Sequence, residues 1–207
     1  MKNTNHAYQL LNKKQVICLN KFKRSDLIGL VKSDLLKNKK NRLKLLDALQ
    51  PFSDFFQKII MLRYVFTETT HFINSAQEHL AEEFRHNISL ETDRKHKPKK
   101  FYPLLESASA WFAWKMFTLN NMQKTVLVHW VLEASANIFF QLVHSKKYFT
   151  ETDYFKTHSI LDEEHQNIPE NFFENLREEE IQSILQVLDE GWQVLMLATD
   201  EIAALTK

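Results

Sequence analysis

The sequence predicts an all-α protein, and three observations carry that expectation. Only two Gly and four Pro occur in 207 residues, so turn chemistry is scarce. Strong helix formers fill the intervening stretches. Apolar residues recur at helical rather than alternating spacing along most of the chain. The length suits one domain with a sizeable core, or one with an appended arm. Lys and Arg number 27 against 26 Asp and Glu, a net charge of +1. No broad basic field is therefore available to displace counterions, and a nucleic-acid partner is not expected. The single cysteine, Cys18, excludes an intrachain disulfide and suits a reducing compartment. The N-terminus lacks the apolar core of a signal peptide, and no apolar run approaches the ~18 residues of a membrane span. A cytoplasmic protein is the expectation.

Residues 1–24 mix Asn, Lys and His without a sustained period, which predicts a partly ordered arm ahead of a single helical domain over 25–207. Ser25 suits an N-cap for a helix carrying Leu27, Ile28, Leu30, Val31, Leu35 and Leu36. The basic run 37–42 reads as a connector with a solvated face. Helical spacing continues over 43–49, and Pro51 suits the first turn of a new helix reaching Phe66. The Thr-rich 67–70 predicts a break, with another helix from His71 to about Asn87. The charged stretch 88–100, ending Lys-Pro-Lys-Lys, is expected to be the longest interior loop. A helix over 103–118 carries the aromatic run 111–117, expected to be largely buried. Asn120 or Asn121 caps a helix to about His144 that is apolar on nearly every side, the mark of a central element. Thr150 or Thr152 caps the next helix, to about Gln166. After 167-NIPENFF-173 a closing helix covers about 177–206, its stripe running from Ile181 through Leu188 and Trp192 to Ala203, with Gly191 placed for close packing.

The chemistry concentrates in two stretches of the same spacing. In 158-HSILDEEH-165, His158, Asp162 and His165 stand four and then three residues apart, within an arc of about 60° on a helix. Two imidazoles and a carboxylate without a thiol suit Fe, Mn or Zn. In 79-HLAEEFRH-86, His79, Glu83 and His86 repeat the spacing with the carboxylate in the middle, Glu82 being the alternative inward group. Glu-x-x-His is also how helix-bundle di-iron sites present two ligands from one helix. Glu133 is the outlier of the apolar helix: a buried carboxylate must protonate, pair or bind a metal. His129 lies one turn earlier on the same face. Solvated polar faces are the competing explanation for both spacings. No Gly-rich phosphate loop, Ser-His-Asp arrangement or Cys-rich zinc motif occurs.

The order of these pieces is an acidic Leu-x-Glu-Glu helix, an isolated Glu on an apolar helix, then Tyr-Phe-x-x-His-x-x-x-Asp-x-x-His before a long terminal helix. Over residues 60–205 it resembles the haem-oxygenase-like di-iron oxidases, a superfamily of iron-containing redox enzymes with a distant thiaminase-like branch. The last motif matches at His158, Asp162 and His165, the middle ligand at Glu133 and the first Glu at Glu83. The departure is specific: the family supplies a His seven or more residues after that first Glu, where this chain has Leu90. His86 is the natural substitute, with His79 and His96 weaker candidates. The resemblance implies a haem-oxygenase-like bundle of about seven helices that holds two Fe ions, or one, or Mn. Its ligands would be Glu83, His86, Glu133, His158, Asp162 and His165, with His79 as a further one. It would use O2 to oxidise a small-molecule substrate, with no membrane span and a homodimer left open. Trp111, Trp114, Phe117, Trp130, Phe139 and Phe140 would wall the site off from water, ordinary aromatic core being the alternative. Two other readings keep the fold: a metal-poor scaffold acting as a binding module, and a thiaminase-like hydrolase. The latter needs a nucleophilic Cys, for which Cys18 in an arm is poorly placed.

Overall fold

Every regular element that a computed structural model gives for the described residues, 4–158 and 167–207, is helical. We number the helices α1 (Thr4–Phe22), α2 (Asp26–Lys32), α3 (Lys39–Val65), α4 (Thr70–Glu83), α5 (His86–Asp93), α6 (Pro103–Thr118), α7 (Asn121–Lys146) and α8 (Glu178–Thr206). Short 3-10 turns cover Asp34–Lys37 and Glu170–Phe173, and 153–158 is helical as well. The chain is thus an all-α bundle. Helix α3 packs against α4, α5, α6 and α8, and α8 in turn lies along α1, α2 and α7. One continuous apolar core joins them.

The N-terminal stretch is not a loose arm. Helix α1 buries Ala7, Leu11, Cys18 and Phe22, spaced four, seven and four residues apart on one helical face, a stripe that the polar Gln15 at its middle and the Asn and Lys residues around it hide in the sequence. Gln15 fixes it further: buried among apolar side chains, its amide donates to the Trp130 carbonyl and accepts from Trp192 Nε1 at 2.9 Å. Both polar ends are satisfied, so burial of this amide carries little penalty. Ser25 caps α2 as expected, its hydroxyl accepting from the Ile28 N–H at 3.4 Å.

Helix α3 runs straight through Pro51 instead of restarting there. A proline inside a helix costs about 3 kcal/mol through the lost hydrogen bond and the clash of its ring with the preceding turn, but Leu45, Leu46 and Leu49 before Pro51 and Ile59 and Ile60 after it share one buried face, and packing overrides the local preference. The 88–100 segment is likewise shorter as a loop than its polarity suggests, because α5 extends to Asp93. Arg94, fully buried, then pins the following loop to α3 by donating to Asp47 at 3.0 Å, Gln50 at 3.3 Å and the Pro98 carbonyl at 3.3 Å.

The aromatic run of α6 does not bury as a unit. A helix offers the core one stripe, here Leu105, Ala108, Ser109, Phe112 and Met116. Trp114 and Phe117 fall off it and are 55% and 54% exposed.

Helix α7 begins with a capping box between Asn120 and Gln123 and changes winding at its centre. Val126–Glu133 is a π-helix, in which the Ala134 N–H reaches back five residues to the His129 carbonyl. Such wide turns recur at functional sites. Gly191 of α8 gives this one room: a Cβ there would overlap Leu127 Cδ1 and press Val131 Cγ2 at 3.3 Å. Contrary to the sequence expectation, α7 is long and apolar enough by length and composition to cross a bilayer. However, 78% of its apolar window is buried inside the bundle, which accounts for its hydropathy.

Candidate metal centre

Glu83 and His86 come together through a break in the backbone, not through one helical face. Helix α4 ends at Glu83, Phe84 is extended (ψ 120°), Arg85 takes the left-handed conformation (φ 71°), and α5 starts at His86. A non-glycine residue held there costs of order 1 kcal/mol or more. Gln57 of α3 offsets it by accepting the Arg85 N–H at 2.5 Å. The result points the Glu83 carboxylate inward, 3% exposed, with Oε2 2.9 Å from His86 Nδ1. Glu82 is exposed, which settles the choice between the two carboxylates.

His158 reaches the same place from 153–158. The cap expected from Thr150 or Thr152 is supplied instead by Asp93 at the far end of α5, whose carboxylate accepts from the N–H groups of Asp153 at 3.2 Å and Tyr154 at 2.9 Å. The helix that presents His86 therefore also anchors the helix that presents His158. One donor atom each from Glu83, His86 and His158 lies within 4.8 Å of the others. His158 Nδ1 is 2.7 Å from the Tyr154 carbonyl. A carbonyl can only accept, so Nδ1 carries the proton and Nε2 presents its lone pair, the arrangement common to metal-ligating histidines. Phe140 stacks on the same ring at 4.4 Å.

Protonation agrees with a cation-binding cluster. Burial pushes His158 below its ordinary value, against the pull of Glu83 and the Tyr154 carbonyl, so the ring is neutral near pH 7. Burial also opposes charge on Glu83 and His86, yet their mutual hydrogen bond and attraction win: the carboxyl is held down and the imidazole up. In the metal-free protein a proton bridges the two, at a place where a metal ion can substitute for it. Two imidazoles and a buried carboxylate, one ring already in the ligating tautomer, fit Fe, Mn or Zn.

Glu133, 2% exposed, lies outside that trio but lines the same cavity as Glu83 and His158, and its charge is felt by His86 and His158. The cavity measures about 80 Å³, several times the ~10–15 Å³ that one water needs. Apart from the carboxylates and His158 its walls are mainly apolar, among them Phe52, Phe56, Phe139, Phe140, Leu195 and Ile202. Of the aromatic wall expected from sequence, Phe139 and Phe140 are there. Trp111, Trp114, Phe117 and Trp130 do not line it: the first three belong to α6 and its outer side, and Trp130 faces the opposite side of α7, stacked on Phe173 at 5.1 Å. His96 is exposed on the loop after α5. Asp162 and His165 lie outside the described residues.

His79 is buried and meets Glu133, its Nε2 2.9 Å from Glu133 Oε1, while its Nδ1 is 3.1 Å from Arg63 Nη1. His129 stacks on the same ring at 5.1 Å. Arg63 was not singled out from the sequence. The signal was present, since a lone cation inside 59-IIMLRYVF-66 is the same anomaly as a lone carboxylate inside α7.

No family model matches the chain. It is 33% identical over 166 residues to the uncharacterized protein RP592 of Rickettsia prowazekii (strain Madrid E), the match covering 79% of this chain and 80% of the rickettsial one.

Proposed function

The chain belongs to the family of the Rickettsia prowazekii protein RP592, and from that premise we propose that it is a haem-oxygenase-like di-iron oxidase using O2 to oxidise a small, largely apolar substrate. The observation that carries the reading is the meeting of Glu83, His86 and His158 within 4.8 Å, with Glu83 and His158 in the wall of an apolar cavity. The resemblance adds Glu133, Asp162 and His165 as further ligands. Bound iron would supply O2 activation at open coordination positions. The chain's own residues do the rest. Glu83 and Glu133 offset the positive charge, and the Tyr154 carbonyl keeps His158 in its ligating form. Phe139 and Phe140 exclude water from the cluster. Among the described residues no cationic side chain lines the cavity, so a reactant is held by apolar contact, with any polar end turned toward the carboxylates and His158.

One observation favours the metal-poor scaffold as second reading. Leu90, where the resembled family has an imidazole, is completely buried and supplies no ligand. The thiaminase-like reading gains nothing, because burial raises the Cys18 thiol and Cys18 is not among the residues lining the cavity.

Anaerobic titration with Fe(II) separates these readings. Saturation at about two ions per chain, followed by O2 uptake that His158→Ala abolishes, is the expected result. Saturation at one ion would place the loss at the position that Leu90 leaves without its imidazole. If neither Fe(II) nor Mn(II) binds, and His158→Ala behaves as the parent does, the oxidase reading is wrong and the scaffold stands.

A further inference from the structure

Arg63, His79 and Glu133 form a chain of contacts through the core. Arg63, on α3, is 1% exposed; His79, on α4, and Glu133, on α7, are 2% exposed each. Arg63 Nη1 lies 3.1 Å from His79 Nδ1, and His79 Nε2 lies 2.9 Å from Glu133 Oε1. A guanidinium has donors only, so Nδ1 must accept from it. The ring's own proton is then on Nε2, aimed at a carboxylate that can accept it. Every donor in the chain faces an acceptor, and reversing the tautomer would set two donors against each other at one end and two lone pairs at the other. The guanidinium is tethered as well, Nη2 donating to Ser75 at 3.4 Å. The imidazole plane is held between His129, stacked at 28°, and the edge of Phe56. Burial pushes Arg63 down to about 10, the charge of Glu133 opposing, so it is a cation at neutral pH.

We propose that His79 is not a metal ligand but a positioning residue: Arg63 fixes its tautomer, and its Nε2–H holds the Glu133 carboxylate in one orientation at the cavity wall. The inference rests on the metal-centre reading for its purpose but not for its geometry. A ligating His79 would need a lone pair on Nε2, and the proton displaced to Nδ1 would point at the guanidinium.

The first test needs no metal. In chelator-treated protein, long-range ¹H–¹⁵N spectra of the imidazoles, with His79 assigned by the signal missing from His79→Gln, should show the Nε2–H tautomer. The Nδ1–H form would overturn the proposal. The second test counts ions with Fe(II). Glutamine can accept from Arg63 through its oxygen and donate to Glu133 through its nitrogen. His79→Gln should therefore bind the same number of ions as the parent with near-parental affinity. His79→Leu should keep the number and lose affinity by about 10–100-fold, the range for removed partners of ligands. His86→Ala should lose an ion outright. If His79→Gln loses an ion as His86→Ala does, His79 is a ligand and the proposal fails. If the parent itself binds no Fe(II), the metal-centre reading fails while the tautomer result still decides the arrangement of Arg63, His79 and Glu133.

Discussion

Among the described residues two imidazole–carboxylate pairs sit in this core, each closed at 2.9 Å, and they are built for different ends. In His79–Glu133 both side chains are buried and a buried guanidinium stands behind the ring. In His86–Glu83 the imidazole is 19% exposed, no cation among the described residues is seen to back it, and a neutral His158 stands beside it. The first pair lies in a row of contacts that runs from the guanidinium through the ring to the carboxylate. The second is a carboxylate compensated by a proton that a metal ion can displace. Identical partners at the same separation thus give a fixed strut in one case and an exchangeable site in the other. The difference lies in what is packed behind each ring.

The comparison can be broken most forcefully at Arg63. Arg63→Met should strip the buried Glu133 of its compensating charge and lower the stability of the metal-free fold by about 3–5 kcal/mol, the cost of breaking a buried ionic network. Urea denaturation measures it, and a loss below about 1 kcal/mol would show that the guanidinium does not support that pair. His86→Ala inverts the pattern. Its effect on the metal-free fold should be smaller, about 1.5–3 kcal/mol as for a hydrogen bond to a charged group, while Fe(II) affinity falls by on the order of 100-fold or more, read by the same titration. Equal effects of the two substitutions on both quantities would erase the distinction. The smallest effect is in pH. Glu83 is held below 4.5, so its contribution to stability is present above that value and is lost as pH falls through the lowered one. His86 is held above 6.5, so its contribution is complete below 6.5 and is lost as pH rises through the raised value. For chelator-treated protein the gap in urea midpoint between parent and His86→Ala should therefore be widest between about pH 4.5 and 6.5 and close on the alkaline side. A gap independent of pH would mean that the pair carries no ionic character.

The helices were largely legible in the sequence because spacing and caps are local: Ser25, the Asn120–Gln123 box and the stripe of α8 all stand where the chain announces them. Glu133 was legible because a carboxylate among apolar neighbours needs an explanation. Glu83 and His86 were found for the wrong reason, three residues apart on a presumed single helix, whereas a left-handed Arg85 between two helices brings them together. Nothing local signals that break, because the group that stabilises it, Gln57, comes from another helix. Asp93 as the cap of 153–158 was equally hidden, since the sequence offered two nearer threonines. Phe139 and Phe140 line the pocket as expected, and the α6 part of the expected wall failed for a geometric reason. Consecutive aromatics on a helix point in all directions, so Trp114 and Phe117 could not face inward with Phe112.

The π-helical centre of α7 bears on how relatives of this chain should be aligned. A π turn is one residue richer than the α turn it replaces. A homologue lacking a single residue between Thr125 and Ala134 would still make a continuous helix there, only more regularly wound. Because the wide turn absorbs the extra residue, the parts before and after it would keep their facing while their numbering relative to each other moved by one. A gap of one in this stretch is thus a change of register in the wall that carries Glu133, and an ungapped comparison across it would pair the wrong carboxylate or none.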